Sequence, residues 1–277
     1  VQARVIALSL RATIIPIEPG AARLSEVPAL RIDDPHPGVR LLTLNRPERR
    51  NALATPLLAD IAQALATAAA DDGVRVVVVT GGPTIFAAGA DIAEIDRLDA
   101  SDPVESPRFL AWRRIRDFPK PMIAAVEGWC LGAGLELAMA SDIVIAGEGA
   151  RFGQPETNLG IIPGGGGTVM LPRLVGRALA TRMILTGEPI DAVRALAAGL
   201  IAETVADGAA GDAAMAMANR LAARAPLALA AAKAALRGAD NGFVEERRRF
   251  VALLGTADKA EGIAAFREKR APDWRGR

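Results

Sequence analysis

Apolar residues return along this chain at spacings that change from element to element. Gly38–Leu44 reads as a strand, and the polar stretch from Asn45 to Asn51, with Pro47 inside it, reads as a loop. From Ala54 to Ala69 the residues Leu57, Leu58, Ile61 and Leu65 recur at three and four, the repeat of an amphipathic helix; Asp71, Asp72 and Gly73 stop it. Val74–Thr80 is a nearly unbroken β-branched run, which suits a strand covered on both faces. A loop of small residues, Gly81–Asp91, leads to a short helix beginning at Asp91, which the spacing casts as its cap. A helix over Ser106–Phe118, a buried strand over Pro121–Val126, a glycine turn over Gly128–Gly134, a helix over Leu135–Ser141 and a strand over Ile143–Ala146 follow. Strands and helices alternating through short connections predict an α/β domain. Beyond Arg177 the chain turns alanine-rich and helical, with no strand of comparable strength. Ala209–Ala235 has helical spacing, and Phe243–Leu254 and Lys259–Lys269 are amphipathic helices, an appendage suited to packing on a partner subunit.

Composition narrows the functional classes. The 277 residues are 51% hydrophobic, enough for one large domain or a domain with an appendage. A net charge of +1 gives no field toward nucleic acid or an anionic membrane, and with 4% aromatic residues and no tyrosine there is no stacking platform for single strands. One cysteine, Cys130, excludes an internal disulfide framework and a cysteine-based zinc site, and reads as a small core residue. The single histidine, His36, stands between Pro35 and Pro37, which argues against a histidine triad or metal cluster; no metal site is expected. No apolar run is long and uncharged enough to span a bilayer. Residues 1–28 carry little pattern. Ile6–Leu10 is cut short by Arg11, and Glu18 and Glu26 count against a transit peptide, so the segment reads as an extension or a mis-assigned start, poorly ordered.

The candidate chemistry lies in three glycine-rich stretches. Phe86–Ile92 is a loop of tiny residues after a strand, where a ligand can touch backbone amides directly. Leu131–Glu136 contains Gly132-Ala133-Gly134, a turn that opens a helix and leaves free amides at its positive end. Such a turn stabilises a developing oxyanion, with Ala90 as a second donor; close helix–strand packing explains the same small residues equally well. Phe152–Glu156 ends on the second glutamate. Taken singly, Glu136 is a favourable charge at a helix N-terminus and Glu156 a solvated loop residue. Two carboxylates beside one small-residue pocket are what acid/base chemistry on a bound water needs. Neither Gly82–Gly89 nor Gly164-Gly165-Gly166-Gly167-Thr168 carries the Gly-Lys-Ser/Thr ending of a phosphate loop, and the latter reads as a flexible turn opening a helix.

Read together, these stretches resemble the crotonase superfamily, specifically enoyl-CoA hydratases, from about Leu30 to the C-terminus. The matching residues are Leu44-Asn45-Arg46-Pro47 with Asn51-Ala52-Leu53; Phe86 through Ile92; Lys120-Pro121 through Gly128; Leu131 through Met139; Phe152 through Glu156; and Gly160 through Thr168 with Ile162-Pro163. Glu261-Gly262, Phe266 and Glu268-Lys269-Arg270 fit as well. The resemblance implies an α/β fold, a spiral of ββα units, with the spiral core and active site over residues 29–200 and a helical trimerisation region over 201–277. It implies a CoA thioester whose carbonyl oxygen lies between the amides of Ala90 and Ala133. Ala52, Leu53, Ala88, Asp91, Ile92, Ala93, Gly134, Pro163 and Gly164 would line the substrate. Phe250, Phe266 and Lys269 would meet its adenine-nucleotide end, partly across a subunit boundary.

Glutamate at both acid/base positions points, within that resemblance, to hydration of a trans-2-enoyl-CoA. Glu136 would act as base and Glu156 would deliver the proton. The CoA thioester is the substrate and no cofactor is implied. The implied partners are acyl-CoA and further copies of the chain, as a homotrimer or dimer of trimers, with no nucleic acid and no membrane; the implied location is cytoplasmic rather than the mitochondrial matrix. The scaffold also hosts Δ3,Δ2-enoyl-CoA isomerases and other acyl-CoA enzymes, RNA-binding members and catalytically silent acyl-CoA binders. The absence of lysine from Ala54–Ala69 argues against RNA binding, and the glutamate pair against a silent binder. Acyl preference is assigned to the segment Arg97–Trp112.

Overall fold

The computed structural model describes residues 28–98, 101, 103, 105–237 and 242–277. The expectation for residues 1–28 therefore lies, Pro28 apart, outside the described residues, as does part of the Arg97–Trp112 segment. In chain order the elements are β1 (Leu30–His36), β2 (Gly38–Leu44), α1 (Thr55–Ala70), β3 (Val74–Thr80), α2 (Ile92–Ile95), α3 (Pro107–Arg116), β4 (Met122–Val126), β5 (Trp129–Leu131), α4 (Ala133–Ala140) and β6 (Ile143–Gly147). They continue with β7 (Arg151–Gly153), α5 (Gly167–Thr186), β8 (Ile190–Asp191), α6 (Ala192–Ala197), β9 (Glu203–Val205), α7 (Ala210–Ala222), α8 (Pro226–Arg237), α9 (Gly242–Leu254) and α10 (Ala257–Glu268).

Two strand layers organise the chain. The larger sheet runs β1-β2-β3-β4-β6-β9, parallel throughout except for the antiparallel β1–β2 edge. The second runs β5-β7-β8, and single bridges extend it, joining Ala87 to Cys130 and Leu53 to Ala90. Each strand from β2 to β6 thus leaves the first sheet, contributes a short extended piece to the second layer, and returns through a helix. That repeat is the ββα spiral expected from the resemblance.

The β-branched run of β3 serves both faces of its sheet. Val77 and Val79 point into the main core, with Leu57, Leu58, Ile61 and Leu65 of α1. Val76 and Val78 point the other way, with Val39, Ile123, Ala125 and Ile145, onto α7. Successive residues of a strand face opposite sides, so a strand covered on both sides is apolar throughout. α7 meets this face through Ala210, Ala214, Ala218 and Ala222, one small residue per turn, which lets the helix lie close to the sheet. β9 and α7 carry this sheet and its cover beyond residue 200.

Three local differences from the sequence reading have physical causes. β1 was not expected: only Leu30 of its seven residues is buried, so it carries no alternation to read. As an edge strand with a register shift between Asp33 and His36, it tolerates Pro35. Ala209–Ala235 is two helices, because Pro226 opens α8 and cannot continue α7. Asp91 stands at the N-cap position of α2 but makes no side-chain cap bond; its carboxylate pairs with Arg46 at 3.2 Å instead.

The tail helices are tied down by ionic and backbone contacts. Asp142 accepts from the Met122 N–H at 2.8 Å and pairs with Lys233 (2.7 Å) and Arg237 (2.8 Å) of α8. Burial pulls the Lys233 ammonium down to about 8, outweighing the attraction of Asp142, so the pair fixes where α8 sits more than it adds stability. Trp274 Nε1 donates to the Ala223 carbonyl at 2.9 Å, and Asp258 accepts from the Arg275 and Gly276 amides, holding α10 to the body. Asp142→Ala leaves a buried cation without its counter-ion and is expected to cost about 3 kcal/mol, while Lys233→Met stays within about 1 kcal/mol. Urea denaturation of both variants checks this; equal losses would mean that the pair stabilises the fold outright.

Candidate active site

The second strand layer builds the site from backbone. At the end of β3 the chain folds tightly: a Cβ on Gly81 would stand 2.1 Å from the Phe86 carbonyl oxygen. Asn51, buried with φ 55, organises this loop. Its Nδ2 reaches the carbonyls of Gly81 (2.9 Å), Ile85 (3.2 Å) and Phe86 (3.1 Å), and its Oδ1 accepts from the Arg46 N–H at 2.9 Å. Leu53 N donates to the Gly89 carbonyl at 2.8 Å and Asp91 N to the Leu53 carbonyl at 3.4 Å. In a parallel bridge of that kind the intervening residue, Ala90, turns its own N–H to the opposite side.

The turn into α4 comes to the same place. Gly132 has φ 49 and Gly89 φ 131, both conformations that favour glycine. A Cβ on Gly132 would stand 3.7 Å from Gly89 Cα and 2.8 Å from Glu156 Oε1. Ala133 is the first residue of α4, where the helix supplies no acceptor for its N–H. Among the described residues neither the Ala90 nor the Ala133 amide has a hydrogen-bond partner. Gly134 has a packing role: a Cβ there would be 2.5 Å from the Ala87 carbonyl oxygen and 2.8 Å from Ala87 Cβ. Of the two readings of the Gly-Ala-Gly turn, close packing thus accounts for Gly134, and the free amide belongs to Ala133.

The two glutamates flank these amides. Glu136 is 2% exposed, and its Oε1 accepts from the amides of Gly165 (2.7 Å) and Gly167 (2.8 Å). The tetraglycine does open α5, as its composition suggested. Sequence reading missed that two of its amides hold a carboxylate 29 and 31 residues away. A Cβ on Gly165 would lie 2.6 Å from both Glu136 Oε2 and Trp112 Cε2, so glycine is required there and Trp112 covers the carboxylate. Glu156 opens a single 3-10 turn after Pro155 and is half-buried. With its amide nitrogen turned toward Glu156, Gln154 donates to both carboxylate oxygens at 3.0 Å.

Both carboxyls are shifted upward. Burial raises Glu136, against the lowering effect of the Gly167 and Gly165 amides and of Arg108 and Arg116. Burial, with the Glu136 charge added, pushes Glu156 up to about 7, against the lowering effect of its own backbone amide. The Glu136 charge opposes ionisation of Glu156, so the two carboxyls do not titrate independently. Such a pair can accept a proton at one position and supply one at the other, beside the Ala90 and Ala133 amides.

Other residues assigned to the substrate divide into two groups. Ala52, Leu53, Ala88, Asp91, Ile92 and Ala93 follow the strand layer into α2, with Ile92 and Ala93 exposed; Pro163 is buried and Gly164 exposed just before α5. Phe250 on α9 and Phe266 on α10 are 50% and 85% exposed, and Lys269 ends α10 with φ 55. No hydrogen bond, ion pair or ring contact joins these three to the residues around Glu136 among the described residues. Arg108 and Arg116 also bear on the site and were not singled out from sequence. Arg116 donates to the Gly165 carbonyl, and Arg108 to the Leu53 carbonyl at 3.0 Å.

Comparison with known proteins agrees with this construction. The sequence profile of the enoyl-CoA hydratase/isomerase family matches residues 35–277. The 2,3-dehydroadipyl-CoA hydratase of Escherichia coli is 47% identical over 244 residues, covering 86% of this chain and 96% of that protein. The mitochondrial enoyl-CoA hydratase of Pongo abelii is 40% identical over 242 residues, covering 86% of this chain and 83% of that one. Among solved structures, an enoyl-CoA hydratase from Bacillus anthracis superposes with a TM-score of 0.85 at 34% identity, over 90% of this chain and 100% of that one. One from Polaromonas sp. superposes at 0.83 with 36% identity, over 90% and 100%. With its ββα spiral, its backbone-built second layer and its two glutamates, the chain belongs to the enoyl-CoA hydratase/isomerase family, the crotonase superfamily.

Proposed function

We propose that this chain is an enoyl-CoA hydratase, adding water syn across the 2,3-double bond of a trans-2-enoyl-CoA to give a 3-hydroxyacyl-CoA. The observation that carries the reading is the pair of shifted carboxyls, Glu136 and Glu156, beside the Ala90 and Ala133 amides, which have no partner among the described residues. The thioester oxygen lies between the two amides, which stabilise it as it gains enolate charge. Both carboxyls hold the water. Glu136 takes a proton from it as its oxygen bonds to C3, and Glu156 gives its proton to C2. The proton then held by Glu136 returns to Glu156 by way of solvent. Water and the two carboxyls balance the reaction, so no cofactor is needed. The relative from E. coli is named for an acyl group that ends in a second carboxylate. At 47% identity over nearly its full length, we carry that substrate class over to this chain as part of the proposal.

We further propose that the active form is a trimer or a dimer of trimers. Supporting this, Val251, Leu254, Ile263 and Phe266 leave an apolar surface on α9 and α10 exposed in the single chain. Closed cyclic assembly would cover that surface and bring Phe250, Phe266 and Lys269 toward a neighbouring subunit's CoA. Light scattering at micromolar concentration should give at least three chains; a monomer would refute the assembly.

Glu136→Gln and Glu156→Gln should each lower crotonyl-CoA hydration by about 10²–10⁴-fold while folding normally. Either variant within a few-fold of the parent would remove that residue from the mechanism, and turnover by isomerisation without a hydrated product would replace hydratase by isomerase. The pH dependence has a definite sign. Glu156 must be protonated to act as acid, so kcat/KM should fall as pH rises through about 7. In Glu136→Gln the negative neighbour is gone, and the residual activity should break at lower pH. A break that stays in place would show that the two carboxyls do not interact.

The amide of Ala133 gives a separate test. Proline is tolerated at the first position of a helix, so Ala133→Pro should fold, yet it removes the N–H. Turnover should fall roughly 10²–10³-fold, whereas Ala133→Gly should cost only a few-fold. A folded Ala133→Pro enzyme with near-normal turnover would place the thioester oxygen elsewhere.

A further inference from the structure

α3 presents four arginines, and one of them is turned inward. Arg113 and Arg114 are exposed, and Arg116 is occupied by the Gly165 carbonyl. Arg108 has a side chain only 16% exposed, one turn before Trp112 on the same face of the helix. Trp112 lies over Gly165 and Glu136. Arg108 Nη1 donates to the Leu53 carbonyl at 3.0 Å, and Leu53 is the residue bridged to Ala90. The guanidinium thus stands beside the residue bridged to the proposed thioester donor, within electrostatic reach of the carboxylate proposed to act at C3.

Its charge is only partly compensated for a half-buried group. Its ion-pair partner, Glu94, approaches Nη1 only to 4.0 Å, and both oxygens of Glu94 are already engaged by the Thr55 amide and hydroxyl. Nε and Nη2 have no hydrogen-bond partner among the described residues. Burial is the leading influence on this group and lowers its pKa, against the pull of Glu94, Glu136 and Asp91. Arginine stays charged even so, and its planar fork matches a carboxylate in two parallel hydrogen bonds. A lysine or glutamine would serve as well to hold one carbonyl. A guanidinium with its outer edge unused fits an anion that arrives with the substrate.

We propose that Arg108 receives the distal carboxylate of the acyl group through its Nε–Nη2 edge and so selects enoyl-CoA substrates that end in a second carboxylate. The inference rests on the hydratase reading above and adds to it the residue that sets acyl preference. The charge of Arg108 also offsets that of Glu136, which would repel such a carboxylate.

The test compares 2,3-dehydroadipyl-CoA with trans-2-hexenoyl-CoA, which has the same chain length without the carboxylate. The parent enzyme should prefer the former, and in Arg108→Met the ratio of their kcat/KM values should fall at least about tenfold, the usual cost of one charge-assisted hydrogen bond or more. Arg108→Lys should keep part of the preference. Independently of any variant's folding, adipyl-CoA should inhibit the parent's hexenoyl-CoA hydration more strongly than hexanoyl-CoA does. If Arg108→Met lowers both substrates equally, Arg108 only tunes Glu136 or holds Leu53, and the inference fails. A parent enzyme that hydrates hexenoyl-CoA but shows no preference for the acid-ended acyl group or inhibitor overturns the inference and leaves the hydratase reading standing. One that hydrates neither substrate overturns both.

Discussion

The site depends on one buried carboxylate and the two amides that hold it. Glu136 sits in a helix whose every residue is buried, where an unpaired charge would cost far more than the fold can spare. Oε1 is satisfied by Gly165 and Gly167, so the turn before α5 must run within hydrogen-bonding distance of α4. That contact leaves no room for a side chain at Gly165, where Trp112 and Oε2 already meet. α3, α4 and the start of α5 are thus fixed relative to one another by a single charged group. Among the described residues Oε2 accepts no hydrogen bond, which leaves it open for the proposed chemistry.

The remaining geometry is set by backbone. Sequence stretches of alanine and glycine are uninformative about side-chain chemistry because they have little. In this fold their value is the approach they allow: Gly89 against Gly132, Gly134 against Ala87, Gly132 against Glu156. Asn51 plays the organising part with its side chain, closing the loop between Gly81 and Phe86 so that Ala90 can pair with Leu53 on one side and leave its N–H on the other.

Much of this was legible from residue pattern. The strands β2, β3, β4 and β6 and the helix α1 were readable because each is long, apolar and regularly spaced. Glu136, Glu156, Ala90 and Ala133 stood out because small residues flank them, and the resemblance to the family pattern grouped them as one candidate site. β5 and β7, three residues each, were not readable, since so short a piece gains its identity only from its neighbour in the second layer. β1 was hidden by exposure, and the break between α7 and α8 was overlooked within a run of alanines. Arg108, Gln154 and the two glycine amides could not be recognised because their roles depend on partners far along the chain. Gln154 in particular lies within a quoted motif yet has meaning only once its amide faces Glu156.

The division between backbone and side chain also explains what can vary in such a site. The two amides proposed as oxyanion donors owe their positions to a bridge and a helix start, so substitutions around them alter little as long as the backbone path persists. The proposed acid/base pair is more sensitive, because Glu156 is raised by burial and, in addition, by the charge of Glu136. α3 supplies neither a carboxyl nor a backbone amide to the proposed site. It reaches the site through side chains: Trp112 beside Gly165, Arg108 on the Leu53 carbonyl and Arg116 on the Gly165 carbonyl. Under the reading proposed for Arg108, a change on that helix face would alter which acyl group is held while the Ala90 and Ala133 amides and both carboxyls keep their positions.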